Sequence, residues 1–222
     1  MKALVFDVDG TLAETETVHL AAFNAAFAAA GLPWTWSEQA YARLLTTTGG
    51  KERIARYLRE AGDNPERHPV AALHADKTAR YAAMIADEAA LRPGVAALIA
   101  EARSHGLRLA VATTTTPDNV EALVQATMGV PAGALFEVIA AGDMVAAKKP
   151  APDVYRLALK RLGLAAEDCL AFEDSRNGLL AAKAAGLRTV VVPSRFTAGE
   201  DFAGADLVLP SLAGWSLEVA PA

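Results

Sequence analysis

Two aspartates follow a short apolar run near the start of the chain. Asp7 and Asp9 come directly after residues 3–6, which predict a buried strand. Adjacent carboxylates repel each other unless a divalent cation or different protonation states separate their roles. The Asp7 carboxylate could attack phosphorus to form an aspartyl-phosphate, while Asp9 would protonate the leaving oxygen and then deprotonate water. The alternative is an ordinary turn, because Asp9 precedes Gly10 and Asp-Gly pairs are common in turns.

A second acidic pair follows a later apolar run. Glu173 and Asp174 come after residues 169–172, and oxygen ligands of this kind suit Mg²⁺, which shares its coordination with substrate phosphate. We expect Asp174 to be a ligand and Glu173 to act directly or through water. Asn177 lies at the start of the next helical stretch, where it would either contact substrate or cap the helix.

A run of threonines follows the apolar residues 107–112. Thr113 is placed to bind a phosphoryl oxygen near a helix start, and Thr114 lies beside it. The alternative is a capping role, since Thr116 precedes Pro117 as an N-cap precedes a first helical proline. Taken alone, the threonine run favours that alternative.

A lysine before a proline offers a fixed positive charge. Lys149 precedes Pro150, and its ammonium group could neutralise both a phosphate and the Asp7 carboxylate. Lys148 is the second choice. The alternative is a pair of solvated lysines.

The elements that carry these residues alternate along most of the chain. Apolar runs at 3–6, 107–112, 138–141, 169–172, 189–192 and 207–209 predict strands, with helical patterns between them. This alternation predicts an α/β fold with a parallel sheet covered on both faces. Residues 14–89 contain only helical patterns, so we expect residues 1–13 and 90–222 to form the core and 14–89 a helical cap. The carboxyl ends of parallel strands share one edge, where the acids, the hydroxyl and the lysine would meet.

Composition limits the possible partners. The net charge is −5 and no basic stripe is present, which argues against nucleic-acid binding. The single cysteine, Cys169, cannot form an internal disulfide, and no Cys/His cluster has zinc-ligand spacing. The first apolar run is too short to cross a membrane and lacks the pattern of a signal peptide. We expect a cytoplasmic protein that does not bind membranes.

Taken together, these motifs resemble the haloacid dehalogenase superfamily over nearly the whole chain. The matching segments are Asp7-x-Asp9-x-Thr11, Thr113, Lys149-Pro150 and Glu173-Asp174. The resemblance implies a Rossmann-like core, a mobile helical cap, required Mg²⁺, a small phosphorylated substrate and a monomer. It also implies that Asp7, the backbone carbonyl of Asp9 and Asp174 hold the Mg²⁺.

A narrower resemblance to the CbbY-type phosphatases rests on residues 12–19, 44–54 and 141–145. That group hydrolyses xylulose-1,5-bisphosphate, an inhibitory by-product of the Calvin cycle. Gly49 and Gly50 precede Lys51 and Arg53 at a helix start, where amides and cations could bind a distal phosphate. Glu16 and His19 share a helix face and could bind sugar hydroxyls. The alternative is that Lys51 and Arg53 are solvated and that His19 packs inside the cap.

Several functions are compatible with the same motifs. A β-phosphoglucomutase-like enzyme would return the phosphoryl group to another sugar hydroxyl. A phosphoglycolate phosphatase would use the same core with a different substrate. A dehalogenase would leave Asp9 and the metal-binding acids without a role, and an inactive phospho-ligand sensor would not need the intact set. We therefore expect a Mg²⁺-dependent sugar phosphatase.

Overall fold

The strands form one sheet in which all neighbours run parallel. The computed structural model describes residues 1–221, and its strands are β1 (Ala3–Phe6), β2 (Arg108–Ala112), β3 (Val138–Ala140), β4 (Cys169–Glu173), β5 (Arg188–Val191) and β6 (Leu207–Val208). Their order is β3-β2-β1-β4-β5-β6, as in a Rossmann-like doubly wound fold. The predicted α/β class is confirmed, and each predicted strand end lies within one residue of the observed one.

Helices lie in the connections between the strands, except between β5 and β6. They are α1 (Glu16–Ala29), α2 (Glu38–Leu44), α3 (Gly50–Glu60), α4 (Val70–Glu88), α5 (Val95–Ser104), α6 (Pro117–Met128), α7 (Ala132–Leu135), α8 (Asp153–Leu162) and α9 (Arg176–Ala184). Among residues 1–221, no helix is both long and apolar enough to span a bilayer.

The sheet is buried on both faces. Successive side chains of a strand point to opposite sides, so Leu4 and Phe6 of β1 pack into the cluster that contains α5 and α6. Ala3 and Val5 pack into a second cluster with α8 and α9. Burial on both faces explains why the strands are continuous apolar runs rather than alternating patterns.

Helices α1–α4 follow one another without an intervening strand, and we call them the cap. Their centre is an aromatic cluster that includes Phe23, Phe27, Trp36 and Tyr41, all buried. Helix α4 packs along α1 and also against α6. Tyr81 of α4 therefore belongs to the same buried cluster as the strand residue Phe6, so the base of the cap is continuous with the core.

The chain enters and leaves the cap at neighbouring points. Ala13 forms bridges with Asp9 and with Leu91. The guanidinium of Arg92 donates to the carbonyls of Val192 at 2.6 Å and Pro193 at 2.7 Å. Arg92 also donates to the Gly10 carbonyl, so both connections to the cap are tied to the loop that carries Asp9.

Candidate active site

Three carboxylates converge at the carboxyl edge of the sheet. The Asp7 amide donates to the Phe172 carbonyl at 3.0 Å, which extends the pairing of β1 with β4 by one residue. That pairing places Asp7 beside Glu173 and Asp174, and one oxygen atom of each carboxylate lies within 4.8 Å of the others. All three side chains are buried. Strand register, rather than proximity in sequence, therefore assembles this acidic cluster.

Lys149 provides the positive charge at this cluster. Its Nζ atom lies 2.7 Å from Asp7 Oδ1 and 2.6 Å from Glu173 Oε1. The Tyr155 hydroxyl on α8 donates to the same oxygen of Glu173. Burial favours the neutral form of Lys149, but the negative charges of Asp7 and Glu173 outweigh this effect and raise the pKa of Lys149 above its usual range. Lys149 is therefore held as a cation beside Asp7.

The acidic cluster has the chemistry of a divalent-cation site. Burial raises the pKa of Asp7 to about 7, although Lys149 opposes that shift. Burial, followed by the charges of Asp7 and Glu173, raises the pKa of Asp174 well above its usual range. Three buried carboxylates with one neighbouring ammonium are an excess of negative charge, which a hard cation with oxygen preference would balance. Asp7, Glu173 and Asp174 therefore fit Mg²⁺.

The threonine run lies next to this cluster. The Thr113 amide donates to the Ala140 carbonyl at 3.0 Å, which fixes the residue just beyond β2. Thr113 and Thr114 both line the cavity in front of Asp7. Thr116 caps α6, since its hydroxyl accepts from the Asn119 amide at 3.3 Å. The run therefore contains the predicted N-cap as well as the two predicted cavity residues.

The Asp9 carboxylate is held by residues of the cap and its entry segment. Its Oδ1 atom accepts from the Thr15 hydroxyl at 2.6 Å and from His19 Nε2 at 2.8 Å. Burial opposes ionisation of Asp9, but His19, Thr15 and Lys77 together lower its pKa below the usual range. His19 is thus engaged with Asp9 and not free for a sugar hydroxyl in this arrangement.

The cap places a second polar group at the other end of the cavity. Gly49 and Gly50 begin α3 and line the cavity with Arg53. The Arg53 side chain donates from Nη1 to the Tyr41 hydroxyl at 2.9 Å, while its buried Nε has no acceptor among residues 1–221. Tyr41 in turn donates to Glu16 Oε2 at 2.6 Å. A buried guanidinium N–H without an acceptor, on a residue that lines the cavity, is a candidate donor for an anionic ligand.

Two predicted binding residues lie at the boundary between cap and core. Lys51 does not line the cavity, and its Nζ atom lies 2.5 Å from Asp143 Oδ2 in the loop after β3. Asn177 lines the cavity, and its amide donates to the Thr46 carbonyl at 3.1 Å. The helix cap of α9 is Ser175, whose hydroxyl accepts from the Gly178 amide at 3.2 Å. Lys51 and Asn177 therefore connect cap and core in this structure.

Sequence reasoning missed two polar residues of α4. His74 and Lys77 line the cavity beside Arg53. Burial, followed by the charge of Lys77, lowers the pKa of His74 to about 4, so it is neutral at neutral pH. Their spacing could have identified them, because His74, Lys77 and Tyr81 are three and four residues apart and share one face of a helix that packs against α1.

The fold and this site define a hydrolase of phosphate esters. A parallel sheet of this order carries an aspartate, a hydroxyl, a lysine and an acidic pair at one edge, beneath a helical cap. The model of the haloacid dehalogenase-like hydrolases matches residues 1–186, and the chain belongs to that family.

Similarity to individual proteins narrows this class to CbbY-like phosphatases. Protein CbbY of Rhodobacter capsulatus is 57% identical over 222 residues, which is 100% of this chain and 98% of the relative. The crystal structure of CbbY from Rhodobacter sphaeroides with phosphate has a TM-score of 0.95 and 57% identity, over 98% of both chains. A mutant of that protein with xylulose-1,5-bisphosphate gives the same TM-score, identity and coverage. The predicted phosphatase class is confirmed.

Proposed function

We propose that the protein is a Mg²⁺-dependent phosphatase of a sugar bisphosphate, most specifically xylulose-1,5-bisphosphate. The observation that carries this proposal is the division of one cavity into two unlike ends. Asp7, Thr113 and Lys149 lie at the sheet edge, whereas Arg53 and Lys77 lie in the cap. One phosphate would react at the first end while the other binds at the second.

The sheet edge supports nucleophilic catalysis by Asp7. In the proposed reaction Asp7 attacks the phosphorus atom, the sugar oxygen leaves, and an aspartyl-phosphate forms. Lys149 contacts the nucleophile directly and would also bind phosphoryl oxygens, with Thr113 alongside. Mg²⁺ held by Asp7, the backbone carbonyl of Asp9 and Asp174, with Glu173 beside them, would supply charge neutralisation for the phosphate.

Asp9 would move the protons. Its Oδ1 atom is already occupied by Thr15 and His19, which leaves Oδ2 for the substrate. That oxygen would protonate the departing sugar alkoxide and then take a proton from the water that hydrolyses the aspartyl-phosphate.

The cap end supports a bisphosphate over a monophosphate. The cavity extends from Asp7 and Lys149 at the sheet edge to Arg53 and Lys77 in the cap, so it has room for polar contacts at both ends of one ligand. Gly49 and Gly50 at the start of α3 line this end, where a helix start can offer backbone N–H groups to an anion. Arg53 adds an Nε–H without an acceptor among residues 1–221. The complex of the CbbY relative with xylulose-1,5-bisphosphate agrees with this assignment.

Phosphate release from a defined set of substrates tests the proposal. The set is xylulose-1,5-bisphosphate, ribulose-1,5-bisphosphate, phosphoglycolate and β-glucose 1-phosphate, each with Mg²⁺ and with EDTA. We expect Mg²⁺-dependent release with a preference for the xylulose bisphosphate. Preference for phosphoglycolate would overturn the substrate assignment. Conversion of β-glucose 1-phosphate without phosphate release would indicate a mutase instead.

A further inference from the structure

Two buried hydroxyl side chains lie beside Asp174 and have no role in the proposed reaction. Ser194 and Thr197 belong to the loop after β5, and they are 1% and 7% exposed. Both line the cavity together with Asp174. The Val192 amide donates to the Glu173 carbonyl at 2.8 Å. This contact extends the pairing of β5 with β4 and brings the loop beside the acidic pair.

The hydrogen bonds of Thr197 have a definite direction. Its Oγ1 atom accepts from the Ser194 amide at 2.9 Å. The hydroxyl donates to the Asp174 carbonyl at 2.7 Å, and it also lies 3.3 Å from Asp174 Oδ2. Since a hydroxyl has a single proton, the Ser194 hydroxyl, 2.9 Å away, is the donor in its contact with Thr197. Ser194 therefore supports Thr197, and Thr197 contacts both the backbone and the carboxylate of Asp174.

Gly10 encloses the same carboxylate from another side. Its φ is +78°, and a Cβ atom there would lie 2.2 Å from Asp174 Oδ2 and 3.1 Å from Ser194 Cβ. In contrast with Asp7 and Glu173, Asp174 forms no ion pair within the described residues 1–221. The orientation of its buried side chain therefore depends on the glycine and on the loop after β5.

We propose that Ser194 and Thr197 are positioning residues that hold Asp174 in the orientation required to bind Mg²⁺. A ligand that is oriented before the metal binds loses less conformational freedom on binding, and loss of a supporting hydrogen bond typically lowers metal affinity by about 10–100-fold. This inference rests on the Mg²⁺ site of the proposed function. Its consequence is that the loop after β5, which supplies none of the three clustered carboxylates, contributes to metal affinity.

The alternative is that this loop only supports the cap. Phe196 packs edge-on against Tyr41, with ring centroids 6.1 Å apart and planes at 87°, and Arg195 Nη2 lies 2.7 Å from Glu38 Oε2. Disturbance of these contacts would alter substrate binding through the cap and leave metal affinity unchanged. Metal affinity therefore distinguishes the two roles.

Metal binding without substrate tests the inference. Electron paramagnetic resonance of free Mn²⁺, which takes the same oxygen ligands, gives the Kd directly, and displacement by Mg²⁺ gives the Kd of Mg²⁺. We expect Thr197→Val to raise the Kd of Mg²⁺ by about tenfold or more. Thr197→Ser keeps the hydroxyl and should stay close to the wild-type value. Thr189→Val is the matched control, because Thr189 is a fully buried threonine of β5 that does not line the cavity.

Two further variants make the measurement specific. Asp174→Asn should lose the binding event that belongs to this site and so identifies it. Ser194→Ala keeps the amide contact to Thr197 and removes only the supporting hydroxyl, so it tests the same link if Thr197→Val does not unfold cooperatively. We expect Ser194→Ala to weaken Mg²⁺ binding by a smaller factor than Thr197→Val.

Steady-state kinetics gives an independent measurement. The Mg²⁺ concentration for half-maximal activity should rise with the Kd, while kcat at saturating Mg²⁺ stays near the wild-type value. Unchanged Kd values in Thr197→Val and Ser194→Ala, an equal loss in Thr197→Ser, or a rise confined to the substrate KM would overturn the inference. Absence of Mn²⁺ binding by the wild-type protein would instead overturn the proposed function, so the two failures are distinguishable.

Discussion

Lys149 and Glu173 form a buried ion pair, with Nζ 2.6 Å from Oε1. Tyr155 donates to that same oxygen, and the Asp174 amide donates to Glu173 Oε2 at 3.3 Å, so both oxygens of Glu173 already have partners. We therefore expect Glu173 to position Lys149 and Asp174 to be the more available metal ligand of the acidic pair.

Replacement of each acid should separate these two roles. Glu173→Gln removes one of the two anionic partners of Lys149 and leaves its ammonium less firmly positioned, so we expect kcat to fall by about tenfold. Its effect on the Mg²⁺ concentration for half-maximal activity should be small. Asp174→Asn should raise that concentration strongly. Steady-state assays over a Mg²⁺ titration measure both, and identical Mg²⁺ dependences for the two variants would contradict the assignment.

Gly178 is required by the position of Glu173. A Cβ atom at this residue of α9 would lie 1.9 Å from Glu173 Oε2. We expect Gly178→Ala to lower the free energy of unfolding by about 1–3 kcal/mol, as overpacking does, and to reduce kcat through Lys149. Gly133→Ala is the matched control, because a Cβ there meets no atom within 4 Å. Thermal unfolding of both variants is the measurement, and equal melting temperatures would refute the steric argument.

Arg53 and Lys51 should differ in their effect on substrate binding. Arg53 is buried, lines the cavity and has an Nε without an acceptor in the part of the chain that the structure describes, whereas Lys51 pairs with Asp143. We expect Arg53→Met to raise KM for a bisphosphate by about tenfold or more, equivalent to about 1.4 kcal/mol. Lys51→Met should change it much less, since exposed ion pairs contribute little. Initial-rate kinetics distinguish the two, and a larger effect at Lys51 would place the distal phosphate elsewhere.

The stabilisation of the protein by Mg²⁺ should depend on pH. The folded-state pKa of Asp7 is raised from 3.8 to about 7, so the metal-free protein holds a proton that the unfolded chain has released. As the pH rises from about 4 to about 7, this carboxyl therefore lowers the free energy of unfolding of the metal-free protein. The slope is at most about 1.4 kcal/mol per pH unit for one proton. Mg²⁺ binds the ionised form and removes the penalty.

We accordingly expect a larger Mg²⁺-induced rise in melting temperature at pH 8 than at pH 5. Differential scanning fluorimetry at several Mg²⁺ concentrations measures it. Asp7→Asn is the control, because its side chain does not ionise, and it should show a smaller dependence on pH. An equal rise at both pH values in the wild-type protein would contradict the expected linkage.

The residues at the sheet edge could be predicted because each directly follows a strand. Asp7, Thr113 and Asp174 are distant in sequence, yet parallel pairing brings the strand ends together and needs no knowledge of side-chain packing. Lys149 does not directly follow a strand; its position before Pro150 predicted a fixed charge, and in the structure its Nζ atom lies 2.7 Å from Asp7 Oδ1.

The cap end could not be predicted in the same detail because it depends on helix packing. Lys77 and His19 are 58 residues apart and meet only because α4 packs along α1. Lys51 and Arg53 are two positions apart on α3, so they point in different directions, and only Arg53 reaches the cavity. Periodicity identifies a helix face, but it does not specify the neighbouring element that this face contacts.

The bridges of Ala13 to Asp9 and Leu91 have a consequence for how such a chain can be altered. Because the chain enters and leaves the cap at neighbouring residues, the cap is an insertion at a single point of the sheet. A segment of another length or sequence could be spliced between these residues without changing the order of the strands. Recombination at this junction would exchange Arg53 and the start of α3, together with the His19 contact to Asp9, and would retain Asp7, Lys149 and Asp174.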